Sequence, residues 1–211
     1  TGDEDTIAEL VRQAYYDTPA AALGMPEFTA YLYPDQGSQR VVEIILTYPQ
    51  EPETLRRKSA ELTDAAESAL IPLSSQLFSQ RRRAEQLLEL LPEVIRWSTV
   101  PSKEDARNTA WDALVGGGAD HEGLALALCL LCGQLGLDCA VTEGTLDGEP
   151  HFWNTLILNG EEFQADLTRE DYTQLWDSGE FAALGYDWSG RPEITESAGP
   201  EYHPTEAEPD R

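Results

Sequence analysis

The sequence predicts an α+β fold in which helices lead into an antiparallel sheet, and three observations carry that prediction. Leu124, Leu128, Leu131 and Leu135 recur by threes and fours, the spacing of one buried helical face. Two strand-like runs follow at residues 139–143 and 151–158, then the turn pair Asn159-Gly160 and a third short strand ending at Asp166. Upstream, residues 3–17 have helical spacing, and residues 27–33 and 40–48 read as the two arms of a hairpin around PDQGS. A run of helix followed by a run of strands is the pattern of an α+β domain.

Taken in order, the first helix buries Ile7, Leu10, Val11, Ala14 and Tyr15 and stops before Thr18-Pro19. Residues 52–70 form a charged amphipathic helix with Leu55, Leu62, Ala66 and Ala69 inward and Arg56, Arg57 and Lys58 outward; Pro72 ends it. Residues 75–97 continue as a long helical segment interrupted or kinked at Pro92. Arg81, Arg82 and Arg83 on it read as a solvated face. Residues 101–107 are a polar loop, and 109–115 a short turn carrying Trp111. Gly116, Gly117 and Gly118 lack a following Gly-Lys-Ser/Thr, so they make a tight turn and not a phosphate loop. Asp120 is placed to cap the next helix, which puts His121 in its first turn. Beyond residue 171, Trp176, Phe181 and Trp188 close the core, and from Ser189 onward the chain is acidic and rich in Pro and Gly.

With 211 residues, 41% of them hydrophobic, the chain has material for one sizeable core and an appendage. Its charge of −25, from 39 acids against 14 bases, disfavours nucleic acid and anionic membrane as partners. From Asn108 onward only Arg169, Arg191 and Arg211 are basic, so any ligand drawn to this half by charge is cationic. The longest apolar stretch, residues 124–132, is too short to span a bilayer. Three cysteines make no disulfide framework, and the Cys-x-x-Cys of Cys129 and Cys132 lies among leucines inside a helix. All three thiols read as core filler.

Residues 114–171 resemble the transglutaminase-like domain, a papain-like cysteine hydrolase or transferase fold, in the form common in surface proteins of Gram-positive bacteria. The family's helix opens with Cys-Glu-Gly-Tyr-Ala after a Leu-Val-x-Gly-x-Ala lead; here Leu114, Val115, Gly117, Ala119, His121, Glu122, Gly123, Leu124 and Ala125 align with it. Its His-Ala-Trp-Asn strand aligns with His151, Phe152, Trp153 and Asn154, and its Asp-x-Thr with Asp166 and Thr168. Residues 176–192 also look like the family's downstream run. The resemblance implies a papain-like transglutaminase core over residues 51–190, an extension of helix plus β-hairpin over 1–50, and an acidic tail over 191–211. It also implies that the base is His151 and its orienter Asp166, with Trp111, Trp153 and Asn154 on the binding side.

The nucleophile's position, however, holds His121. The family's thiol is activated by a helix N-terminus and a neighbouring imidazole, and an imidazole cannot replace its sulfur. Cys129 lies about 80° round the helix and about 12 Å along it from residue 121, and Cys132 about 16 Å along. Cys139 begins the next strand. The reading is therefore a transglutaminase-like domain without competent chemistry, a binding or scaffold module for a peptide, cell-wall or protein ligand, with no cofactor. The alternatives are a metal site, since two imidazoles and a carboxylate suit zinc or non-haem iron, and a hydrolase of altered mechanism using His121, His151 and Asp166. The resemblance implies export as a secreted or cell-surface lipoprotein whose leader lies outside this chain, which starts TGDEDT.

Overall fold

The computed structural model describes residues 2–33, 41–73, 79–95 and 107–188. Its helices are α1 (Gly2–Asp17), α2 (Pro52–Leu70), α3 (Gln80–Val94), α4 (Ala110–Leu114), α5 (His121–Gln134) and α6 (Ser178–Ala183). The strands are β1 (Glu27–Tyr33), β2 (Val41–Thr47), β3 (Asp138–Leu146), β4 (Glu149–Leu158), β5 (Glu161–Ala165) and β6 (Tyr186–Asp187). Strands β1 and β2 form a hairpin of their own, and the main sheet has the order β5-β4-β3-β6, antiparallel throughout. The fold is α+β. The PDQGS turn, the loop at 101–106, the ends of the 75–97 segment and the tail at 191–211 lie outside the described residues.

Two-residue turns set the register of the main sheet. Asn159-Gly160 joins β4 to β5 with both residues at positive φ, 56° and 84°, and Asp147-Gly148 joins β3 to β4 with φ of 53° and 85°. Such turns match the twist of paired strands and favour Asn or Asp followed by Gly. The second turn lengthens β3 to Leu146, three residues past the expected end at Glu143.

Helix α5 departs from its expected single apolar face, because every residue from Gly123 to Cys132 is buried. It packs on β3 and β4 from one side and on α2 and α4 from the other, so no face is left for polar residues. Two bonds lock it to the sheet. Asn154 Nδ2 donates to the Ala125 carbonyl at 2.9 Å, and the Cys129 thiol donates to the Cys139 carbonyl at 3.0 Å. Arg83, expected on a solvated face, donates Nη1 to the Leu135 carbonyl at the end of α5 at 2.5 Å. A cation at a helix C-terminus meets both the unpaired carbonyl and the negative end of the dipole. Arg81 and Arg82 do stay outside, paired with Glu85 and Glu89.

The expected turn at 109–115 is a short helix, α4, closed by a capping box. Thr109 Oγ1 accepts from the Asp112 amide, and the Asp112 carboxylate accepts from the Thr109 amide at 3.1 Å. Helix α3 runs through Pro92 without interruption, since the proline sits in the last turn. At the N-terminus, Tyr15, Ala22 and Leu23 join the main core, which ties α1 to the body. The β1–β2 hairpin stands apart, with Val42, Ile44, Ile45 and Leu46 all more than two-fifths exposed.

Gly123 marks how tightly α4 lies on α5. A Cβ there would meet the Ala119 Cβ at 2.8 Å and the Thr109 backbone at 2.8–2.9 Å, whereas one at Gly133 would meet nothing within 4 Å. Gly123→Ala is expected to destabilise the protein by about 1–3 kcal/mol through overpacking. Gly133→Ala is expected to stabilise by roughly 0.5–1 kcal/mol through helix propensity. Urea midpoints of the two variants against the parent check both.

Candidate functional site

The site is built where the N-terminus of α5 meets the first half of β4. Asp120 caps the helix, its Oδ1 accepting from the Glu122 and Gly123 amides at 3.1 Å, so His121 projects from the first turn. Its ring lies 4.7 Å from that of His151 on β4, with the planes inclined by 34°. Behind His151 stands Asp166, at the end of β5, with Nε2 to Oδ2 at 2.7 Å. The structure thus brings His121, His151 and Asp166 together in that order.

Asp166 is 2% exposed and is the acceptor for four donors. His151 Nε2 and the Tyr186 hydroxyl, at 2.6 Å, meet Oδ2; the Thr168 amide and hydroxyl, both at 2.8 Å, meet Oδ1. Burial alone would raise its pKa. The bonds from His151 and Tyr186, the charge on His151 and the Thr168 amide outweigh it, and the carboxyl is held below its ordinary value. Because Nε2 of His151 is committed to Asp166, Nδ1 is the ring nitrogen left for other work.

His121 differs in kind. Burial first, then the neighbouring His151, push its pKa down, against the weaker upward pull of Asp120 and Asp166. Its Nδ1 is buried and without a hydrogen-bond partner. On its other side Phe152 stacks at 5.6 Å and 15°, and Tyr16 of α1 lies 5.6 Å beyond Phe152. The Tyr16 hydroxyl donates to Glu122 at 2.8 Å, with Asn108 Nδ2 on the other carboxylate oxygen at 3.2 Å. An unbroken file of rings therefore runs from Tyr16 through Phe152 and His121 to His151, and His121 is an inner member of it.

The three residues expected on the binding side, Trp111, Trp153 and Asn154, are each held by a side-chain hydrogen bond. Trp153 is 1% exposed in a second core with Phe181 and Tyr186, and its indole donates to Gln164 at 2.9 Å. Asn154, also 1% exposed, is the clamp between sheet and helix already described. Trp111 is half-buried against α2, donating to Glu61 at 2.9 Å beneath the Lys58 ammonium. Strand alternation explains the first of these: His151 and Trp153 share a face of β4, but β6 and α6 cover the sheet at Trp153. Gly144 lets β6 in, since a Cβ there would lie 2.3 Å from the Asp187 carbonyl and 2.5 Å from the Trp153 ring.

Tyr186, Thr168, Phe152, Tyr16 and Glu122 were not singled out as site residues from the sequence. Thr168 and Phe152 stood inside the aligned motifs, and a closer reading of those motifs finds them. Tyr186 stood inside the 176–192 run, and Tyr16 had no local signal, because it arrives from a distant element.

The thiols lie away from this centre. The bond to Cys139 and burial raise the pKa of Cys129, and burial raises that of Cys139 well above the ordinary range. Among the described residues no three His, Cys, Asp or Glu side chains form a group able to hold a metal ion. None of the described helices is long and apolar enough to cross a membrane.

No protein-family model matches this chain, and no curated protein matches it. Among solved structures, one titled "Crystal structure of a TGase" aligns at 12% identity with a TM-score of 0.46. The alignment covers 80% of this chain and 54% of that one, so this chain spans about half its length.

Two outcomes follow from the site. The stability that Asp166 contributes is present above the ordinary Asp value of about 3.9 and is lost as pH falls from there through the lowered folded value. Asp166→Asn is expected to destabilise by about 3–5 kcal/mol at pH 7 and to flatten the acid limb of stability, read from urea midpoints between pH 2 and 7. In the native protein at pH 8, Cys129 and Cys139 are expected to alkylate at least ~100-fold more slowly than after denaturation, read by mass spectrometry of peptides after iodoacetamide.

Proposed function

We propose that this chain is a transglutaminase-like domain that has lost its nucleophile and serves as a binding or scaffold module of an exported bacterial protein. The observation that carries the reading is the occupant of the space in front of His151. An imidazole fills it, packed between His151 and Phe152, where cysteine chemistry would need an exposed thiolate. The helix N-terminus that would stabilise a thiolate disfavours a positive charge, so His121 is neutral near pH 7, in accord with its lowered pKa. A neutral ring in a file of aromatics packs and positions; it does not supply the covalent route. The ligand belongs to the class of peptide, cell-wall component or protein surface, and the placement outside the cytoplasm rests on the resemblance of the 114–171 motifs.

One observation favours a second reading, a hydrolase of altered mechanism. The His151–Asp166 pair is fully assembled, with Tyr186 and Thr168 holding the carboxylate. Such a dyad is competent to take a proton from water through the free Nδ1. A metal at the same place has less support, because Asp166 is committed behind His151 and only two imidazoles remain where zinc sites use three or four ligands.

His121→Cys separates these readings. In that variant the new thiol, at a helix N-terminus beside His151, is expected to alkylate about a hundredfold faster than Cys129 or Cys139. Hydrolysis of an activated ester, or amine incorporation into a glutamine peptide, is expected in the variant and absent in the parent. Comparable turnover by the parent, abolished by His151→Ala, would overturn the proposal and establish the altered hydrolase.

A further inference from the structure

We propose that protonation of His121, whose ring packs 4.7 Å from that of His151, undocks the N-terminal helix α1 from the sheet. The proposal stands on the packing of these rings and holds whether or not the site turns over a substrate.

The groups facing the pair come from five directions. From α5 there are Asp120 and Glu122, and from the end of β5 Asp166, with Tyr186 of β6 behind it. From α1 come Tyr16 and Arg12; Arg12 lies over the Tyr16 ring and pairs with Glu143 of β3. Asn108, before α4, bonds Glu122. His151 has an acidic partner, since its Nε2 stands 2.7 Å from the Asp166 carboxylate.

A proton added to His121 has no such partner. It would place a positive charge at the positive end of α5, 4.7 Å from the His151 ring, and would give both nitrogens of His121 a hydrogen to donate. Nδ1 of His121 is buried and faces no acceptor. The nearest carboxylate on its own helix, Asp120, already accepts on Oδ1 from two amides. Consistent with this, burial and His151 both lower the pKa of His121. The folded state therefore binds fewer protons than the unfolded one between that lowered value and about 6.5, and stability falls as pH drops through this interval.

What yields is set by packing. Helix α5 and strand β4 form the centre of the core, with Gly123–Cys132 and Trp153–Leu156 buried. Helix α1 lies outside β3 and reaches the site through Tyr16, which leans on Phe152 and bonds Glu122. Phe152 is shared between Tyr16 and His121, so a charged His121 that turns out toward water displaces Phe152 and takes the seat of Tyr16 with it. Glu122 is not the trigger, because a protonated carboxyl still accepts the Tyr16 bond through its carbonyl oxygen.

The experiment measures amide hydrogen exchange of residues 5–17 in the full chain from pH 7.5 to 5.0, corrected for intrinsic rates, together with imidazole titrations by NMR. The expected result is about a tenfold loss of protection in α1, with a midpoint that coincides with the titration of His121. His121→Phe is expected to abolish the loss, and Glu122→Gln and Glu143→Gln to retain it. The proposal is overturned by an unchanged loss in His121→Phe, by its disappearance in Glu122→Gln or Glu143→Gln, or by constant α1 protection while His121 titrates. If His121→Phe does not fold, the two midpoints in the parent decide: coincidence supports the proposal and separation overturns it.

Discussion

The carboxylate of Asp166 is the constraint around which the sheet and its site are assembled. An ion in a dry interior persists only where donors replace its water, and here four do so, from β4, from β6 and from the amide and hydroxyl of Thr168 just after β5. Each donor dictates geometry. His151 must turn Nε2 inward, β6 must come close enough for Tyr186 to reach, and the chain must bend at residues 166–168. Gly144 follows from the second demand, since only a residue without a side chain lets the Asp187 carbonyl lie beside it.

The second constraint is electrostatic and acts at the tip of α5. Asp120 satisfies the free amides there, and the dipole disfavours a cation in the first turn. Two carboxylates nearby, those of Asp120 and Asp166, pull the other way. Burial decides the contest for His121, whose pKa falls despite them. Glu122 shows the same dominance with the opposite sign: burial raises it even though Tyr16 and Asn108 bond it. In both residues the interior favours the neutral form, so the pocket between α1 and α5 is one where charge is suppressed, while across His151 the Asp166 charge is stabilised. Two rings 4.7 Å apart thus sit on a boundary between a neutral and an ionic environment.

Much of this was legible beforehand because its causes are local. Helix α2 begins at a proline and alternates charge with apolar residues at helical spacing, and it lies over Pro52–Leu70 as read. Asn159-Gly160 announces a tight turn by itself, and Asp120 announces a cap. The resemblance of the motifs around His121, His151 and Asp166 implied their meeting. The α4 capping box was written as Thr-x-x-Asp and was overlooked in favour of a turn. Helix α6 and strand β6 are too short to show periodicity, and β6 exists because β3 offers an edge and Asp166 a partner.

The sequence alone therefore settled which residue types occupy the helix tip and the middle of the long strand, and that no thiol stands at position 121, since chain order and helical or strand periodicity are properties of adjacent residues. Only the tertiary structure decided that Trp153 and Asn154 are sealed inside while Phe152 packs on His121 with Tyr16 beyond it, because those outcomes depend on what distant segments lay over each face. Burial is a property of the assembled whole. It also pushes the pKa of His121 down, a consequence that the residue, as a letter in a chain, does not carry.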